Sequence, residues 1–196
     1  MQTYISILRS INVGGQKKIK MDDLKTLFEG LKFKNVITYI RSGNVIFKPD
    51  SKESIQNLAN KIEKAISKKF QFDVPVIIRT IDELKSVVAH NPFIKVKNMN
   101  TDKLHVTFLF SEQSPAKIES IKKLDYLPDK FIITGIEAYL YCPNGYGGTK
   151  LSNNFFENKL DVRATTRNWK TVNKLVELSS CFPQCSNLKI FKDYPV

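Results

Sequence analysis

The chain is poor in the groups that most catalytic centres and secreted domains rely on. It holds 3 cysteines and 2 histidines in 196 residues. Three cysteines make no disulfide framework, which points to a reducing, cytoplasmic setting. Cys181 and Cys185 are spaced C-x-x-x-C with no third ligand nearby, and Cys142 falls in a strand-like run, so no metal site is expected. His90 closes a helical stretch before Asn91-Pro92. His105 alternates with the apolar residues of a strand. Neither has a Ser or Cys beside it with the character of a triad. Asp22-Asp23 reads as the acidic start of a helix rather than a carboxylate dyad. The chain therefore carries no recognisable catalytic motif, and whether it is an enzyme stays open; no cofactor is expected. Apolar runs are short as well: none approaches the ~18 residues that a membrane span needs. MQTYISILRS lacks the basic region of a secretory signal. A membrane is not an expected partner.

Arginine is the other scarcity. Of 31 Lys+Arg only five are Arg: Arg9, Arg41, Arg79, Arg163 and Arg167. The formal net charge is +12, against 42% hydrophobic and 26% charged residues, a composition that folds rather than staying disordered. The excess is lopsided. Residues 1–98 carry 18 basic and 9 acidic residues, a net of +9; residues 99–196 carry 13 and 10, a net of +3. Much of the lysine fits a compositional bias carried on solvated faces. Arginine presents a planar fork suited to phosphate or carboxylate, so the five are the more informative set.

Periodicity gives the order of elements. Gln2 to Leu8 reads as a strand, and Asp22 caps a helix with Leu24, Leu27, Phe28 and Leu31 at i, i+3, i+4 and i+7. Val36–Ile40 and Val45–Phe47 form a hairpin around Arg41-Ser42-Gly43-Asn44. A long helix from about Lys52 stacks Ile55, Leu58, Ile62, Ile66 and Phe70, and Val74–Arg79 is a strand. This is β-α-β-β-α-β, the split-βαβ or ferredoxin-like unit. Ile81 to His90 is a linking helix. The order then repeats: Leu104–Phe110, a helix near Pro115–Lys123, Phe131–Thr134, Ala138–Cys142, a helix over Thr149–Leu160 and a strand at Val162–Thr165. A last helix, about Asn168 to Ser179, stacks Trp169, Val172 and Val176. The predicted fold class is α+β, with two tandem ferredoxin-like units at 1–80 and 103–180. Residues 81–102 link them, the second unit ends in the final helix, and 181–196 form a tail whose Ile190 and Phe191 fit an edge strand.

The topology draws particular loops together. In a split-βαβ unit with right-handed crossovers, the first two strands run parallel. Asn12–Lys18 should therefore lie beside Arg41–Asn44; in the second unit the same reasoning sets the loop after the third strand beside the exit from the fourth, Pro143–Lys150 beside Thr165–Trp169. INVGGQKKIK sets Gly14 and Gly15 beside Lys17 and Lys18 between a strand and a helix, where backbone N–H groups can approach an anion. It lacks the Walker spacing and also fits a tight turn with a solvated basic flank. NGYGGTKLS is a second glycine-rich loop. There Tyr146 offers a stacking surface and Lys150 a cation, while Thr149 could cap the next helix. In TTRNWKTVNKL, Thr165 or Thr166 could serve as the cap, which would put Arg167 in the first helical turn. A cation there opposes the helix dipole, so Arg167 is expected to meet an anion, either a ligand or a carboxylate of the protein. Arg9 ends a strand, Arg41 sits in a turn, and Ser42-Gly43-Asn44 also suits that turn alone.

Taken together, YISILRSINVGGQKKIKMDDLKTLFEGLKFKNVITYIRSGNVIF, HNPF, LHVTFLF and TTRNWKTVNKLVEL resemble the domain-of-unknown-function 1697 (DUF1697) family over about residues 2–180. The resemblance implies a bacterial α+β protein of two related ferredoxin-like halves, and it brings no activity with it. The family's motif positions fall on Arg9, Asn12, Gly14, Gly15, Ser42, Gly43, Asn44, Arg167, Asn168 and Trp169. The tail from Cys181 lies outside the pattern.

Charge, loops and the shortage of catalytic groups converge on one expectation: a phosphate-bearing ligand, with nucleic acid as a candidate, bound through basic glycine-rich loops. Its candidate contacts are Arg9, Asn12, Gly14, Gly15, Lys17, Lys18, Arg41, Ser42 and Asn44, with Tyr146, Lys150, Arg167 and Asn168 as a second cluster. The alternative is an enzyme acting on a small anionic substrate, nucleotide-like or a sugar phosphate, in the cleft between the two units. The sequence does not set an oligomeric state.

Overall fold

The computed structural model describes residues 2–180; the expected edge strand at Ile190 and Phe191 lies outside them. The fold is α+β, with two four-stranded antiparallel sheets and six helices among the described residues. The first half runs β1 (Tyr4–Leu8), α1 (Met21–Gly30), β2 (Lys34–Tyr39), β3 (Asn44–Lys48), α2 (Ile55–Phe70), β4 (Val76–Thr80) and α3 (Ile81–Ala89). The second runs β5 (Leu104–Leu109), α4 (Pro115–Lys122), β6 (Lys130–Thr134), β7 (Glu137–Tyr141), α5 (Asn153–Leu160), β8 (Ala164–Asn168) and α6 (Trp169–Ser180). Strand order is β2-β3-β1-β4 in one sheet and β6-β7-β5-β8 in the other, the same pattern twice.

Alternation along the strands decides what each face meets. In β1, Tyr4 and Leu8 belong to a core shared with Leu24, Phe28, Leu58 and Ile62 of α1 and α2. Ile5 and Ile7 point the other way and pack with Val106, Phe108 and Tyr139 of the second sheet. Leu109, Leu140 and Ala138 face Phe156 and Leu160 of α5. The two sheets thus pack face to face, with α1 and α2 outside one and α4 and α5 outside the other, and β1 and β5 are buried throughout. The helices α3 and α6 contribute Leu84, Val87, Val172 and Leu175 to the shared middle core. Each follows the last strand of its sheet, so α3 is the counterpart of α6 as well as a link.

Several boundaries differ from those expected. Thr149 does not cap α5; Ser152 does, accepting from Phe155 N. Arg167 is not in a helical turn, because β8 extends through Asn168, whose Oδ1 accepts from Thr171 N at 2.8 Å and caps α6. Neither Thr165 nor Thr166 serves as that cap, and Asp22 does not cap α1 but lies in its first turn, after Lys20 at the N-cap. The pairing that β8 makes with β5, Val106 opposite Arg167, carries the strand further than its short apolar content indicates.

Candidate functional site

Asn12 fixes one edge of the first sheet. It lies in the left-handed region at φ 56, which Asn tolerates. Its Nδ2 donates to Ile19 O at 3.0 Å and to Arg41 O at 2.8 Å, and its Oδ1 accepts from Ile19 N at 2.9 Å. One side chain therefore closes the 12–19 loop and ties it to the β2–β3 turn. Gly43, at φ +78, donates no side chain to that turn because none fits: a Cβ there would lie 2.6 Å from Ile11 Cδ1 and 2.9 Å from Leu8 Cβ. Gly14 and Gly15 are different, since their surroundings are open and only their backbone angles favour glycine. Lys17 Nζ donates to Asp73 O at 2.6 Å. Lys18 and Arg41 are exposed, and what Asn12 holds is the Arg41 carbonyl, not its side chain.

Arg167 lies beneath this edge. Its side chain is buried and crosses from β8 into the first half. Nε donates to Asn44 Oδ1 at 2.7 Å, Nη2 to Leu8 O at 2.7 Å and Ser42 O at 2.8 Å. Nη1 donates to Thr165 Oγ1 at 3.0 Å and Thr166 O at 2.9 Å. The anion expected for it is therefore neither a ligand in contact nor a protein carboxylate: all five acceptors are neutral. Its donors are fully engaged, so Arg167 acts from below the surface. Burial pulls its pKa down to about 10, which still leaves it charged at neutral pH.

The register exposes a counterpart. Arg79 stands opposite Ile5 in β1 as Arg167 stands opposite Val106 in β5. Arg79 crosses the other way: Nε donates to Glu137 Oε1 at 3.0 Å and Nη2 to Leu109 O at 2.7 Å. Asn44 pairs with Ile7 and Glu137 with Phe108, so the two acceptors occupy matching places. A second reciprocal set lies further out. Glu63 of α2 accepts from Val76 N and from Arg163, both through Oε1. Glu157 of α5 accepts from Ala164 N and pairs with Arg9. Four of the five arginines thus fasten one half to the other.

The second glycine-rich loop reaches the same edge. Gly145, at φ 94, turns the chain so that Tyr146 stacks on His105 with ring centroids 4.9 Å apart. Tyr146 OH donates to Thr166 Oγ1 at 2.9 Å, and Thr166 Oγ1 donates to Asn153 Oδ1 at 2.7 Å. Arg9 Nη2 donates to the adjacent Asn154 Oδ1 at 2.7 Å. Burial raises the Tyr146 pKa and lowers that of His105, so both stay neutral near pH 7. Lys150 and Asn168 are exposed. Arg167 thus links β8 to Ser42 and Asn44 of the first cluster, and Arg9 reaches Asn154, next to the Asn153 that ends the Tyr146–Thr166 chain. A surface groove of about 670 Å³ lies between α2 and Arg163, with Lys64, Lys68 and Asp73 on its walls.

The cleft expected between the halves is absent where the sheets meet: Ile5, Ile7, Ile46, Val106, Phe108 and Tyr139 fill that space. Among the described residues no group of three or more His, Cys, Asp or Glu could hold a metal ion, and no helix is long and apolar enough to cross a membrane. The Arg79–Glu137 and Arg163–Glu63 pairs escaped sequence reasoning. One signal was there: VIIRT and ATTRN both place Arg fourth in a strand, just before a helix cap.

Comparison with known proteins adds family and fold. The model of the family described as "Protein of unknown function (DUF1697)" matches residues 1–139. The chain belongs to that family. The match ends within β7, so it takes in Arg9, Arg41, Arg79 and Glu137 but not Arg163 or Arg167. No curated protein matches. Among solved structures, the conserved bacterial protein SP0830 from Streptococcus pneumoniae is similar, with a TM-score of 0.71 and 20% identity over 92% of this chain and 99% of that one. At that identity the likeness speaks to the fold alone.

Proposed function

We propose that this DUF1697 protein binds a phosphate-bearing ligand, nucleic acid first among them, on the edge formed by residues 9–18, 41–44 and 146–150. The observation that carries the reading is Arg167, a buried cation whose acceptors are all neutral. Its charge is uncompensated beneath the β2–β3 turn, whose Ser42 O it holds, and both Arg41 in that turn and Lys18 in the loop that Asn12 ties to it are exposed. An anion docking there would meet a positive field that low-dielectric surroundings screen weakly. Backbone strain supports the same edge: Ser10, Asn12, Lys17 and Ile40 are all held at positive φ, and such residues cluster at functional sites. Gly14 and Gly15 sit at φ +58 and +77 in open surroundings on the same loop. In this reading Lys18, Arg41 and Lys150 touch phosphates. Asn12, Ser42 and Asn44 shape the edge, Tyr146 and Asn168 border it, and Arg9 and Arg167 hold the halves in register.

The repeated strand orders support reading each half as a ferredoxin-like unit, with 81–102 between them. A bacterial, cytoplasmic setting is part of the proposal. It agrees with Cys142, a free buried thiol whose pKa is pushed up to about 11 by burial, which keeps it unreactive.

Fluorescence anisotropy with labelled single- and double-stranded DNA and RNA across a salt series tests the reading. Binding to duplex DNA should weaken with a log–log slope of about −0.9 for each phosphate neutralised. A flat salt response, or no binding to any of them at low salt, overturns it.

A further inference from the structure

A separate observation concerns the two outer arginines of the junction. Glu63 and Glu157 hold matching places: each accepts from the first backbone N–H of its sheet's last strand and from an arginine of the other half. The two arginines are not equally spent. Arg9 uses both terminal nitrogens: Nη1 donates to Ser10 Oγ at 3.0 Å, and Nη2 donates to Asn154 Oδ1 and to Glu157. Arg163 donates only through Nη1, to Glu63 Oε1 at 2.7 Å, and its Nη2 has no acceptor among the described residues. Its guanidinium carbon lies 3.8 Å from the centroid of the Phe110 ring, so the planar fork is fixed by a stack and an ion pair. The Arg163 side chain is 36% exposed against 19% for Arg9, and it forms part of the wall of the groove beside α2.

The groove is rich in uncommitted positive charge. Lys64 and Lys68, four residues apart on α2, line it with Arg163, and neither lysine has a carboxylate partner among the described residues. Of the two carboxylates on its walls, Glu63 is already held by Val76 N and Arg163. The other belongs to Asp73, whose carbonyl accepts from Lys17 Nζ at 2.6 Å, which brings a further ammonium to that wall. At about 670 Å³ the groove has the size of a small-molecule site rather than that of a bare ion.

We propose that this groove binds the phosphate group of a small phosphomonoester, with the Arg163 fork and the Lys64 and Lys68 ammonium groups as its donors. A fork held in place and two point charges suit a dianion with several acceptor oxygens. Because α2 belongs to the first half and Arg163 to the second, the bound molecule bridges the junction and stabilises the folded state. The site is distinct from the Arg41 edge and does not depend on the nucleic-acid reading.

NMR of the full chain labelled with ¹⁵N at arginine tests this, with inorganic phosphate and adenosine 5′-monophosphate as the probes. The Arg163 Nε–H resonance should shift and saturate with either probe, and the melting temperature should rise with its concentration. Sodium chloride at equal ionic strength should move neither readout. The double variant Lys64→Ala, Lys68→Ala changes two exposed side chains, so it should melt with the unliganded wild type and bind about tenfold or more weakly. Arg163→Lys, which keeps a cation for Glu63, should fold and show the same weakening in melting-temperature titrations. No saturable shift with either probe overturns the proposal, as does undiminished binding by the double lysine variant. An equal response to acetate overturns the phosphate assignment. Loss of the Arg163 response in Arg41→Ala would place the phosphate on the other edge and overturn it too, whereas failure of duplex binding with the Arg163 response intact counts against the nucleic-acid reading alone.

Discussion

Arg79 and Arg167 hold matching positions in two sheets of the same strand order, and each crosses to the other sheet, but they are compensated differently. Arg79 meets a carboxylate; Arg167 meets an amide oxygen, one hydroxyl and one backbone oxygen of its own strand, and two backbone carbonyls from the first half. The geometry of fastening is shared, and the charge balance is not. At the Arg79 end the junction is self-contained. At the Arg167 end a full positive charge is left over, and it lies where the glycine loop, the β2–β3 turn and Tyr146 come together. The difference separates what is needed to join two sheets from what is available for an anion.

Removing each arginine should show this asymmetry. Arg79→Met strands the Glu137 carboxylate in a site where burial already raises its pKa against the opposing effect of Arg79. Breaking a buried pair from one side typically costs about 3–5 kcal/mol. Urea unfolding should show a loss of that size, and Arg79→Met combined with Glu137→Leu should recover much of it. Equal losses for the single and double variants would mean the pair is not what Arg79 provides. Arg167→Met should cost less, since it strands no charge; a neutral acceptor costs about 1–3 kcal/mol only where neither water nor another donor replaces the lost bond. A larger loss than for Arg79→Met would reverse the comparison.

The order of elements was legible from the sequence because the periods of α1, α2 and the strands are regular. Face-to-face sheets were not. Tyr4 to Leu8 reads as a strand either way, and only the structure shows that Ile5 and Ile7 meet Phe108 rather than a helix. The loop juxtapositions followed from strand direction, and Asn12 bonded to Arg41 is their realisation. Arg79 stayed hidden for a physical reason: arginine is rarely buried, and the Glu137 that makes its burial tolerable lies 58 residues along the chain. Arg167 was singled out as a cation in a helical turn, which it does not occupy, and three of its five acceptors are backbone carbonyls, which carry no sequence signature.

A pH series distinguishes the Tyr146 side of the edge from the Arg79 side. Burial lowers the His105 pKa below the ordinary 6.5, so the folded state takes up its proton later than the unfolded chain as pH falls. Its contribution is fully present above about pH 6.5 and is lost as pH falls through the lowered value. The imidazole resonances should titrate below 6.5; a midpoint above 6.5 would contradict the stacked, buried ring. Glu137 works in the opposite sense, because its raised pKa favours the folded state on the acid side and that part is lost as pH rises through it.

The smallest effect on stability belongs to Arg41, and its effect on binding decides the account. Arg41→Ala changes an exposed side chain and should leave stability within about 0.5 kcal/mol. The measurement is the salt dependence of duplex affinity for the wild type and Arg41→Ala side by side. The account predicts a steep wild-type slope that becomes shallower by about 0.9 in the variant, the share of one phosphate contact. Identical slopes, or no measurable affinity in either protein at low salt, would contradict it.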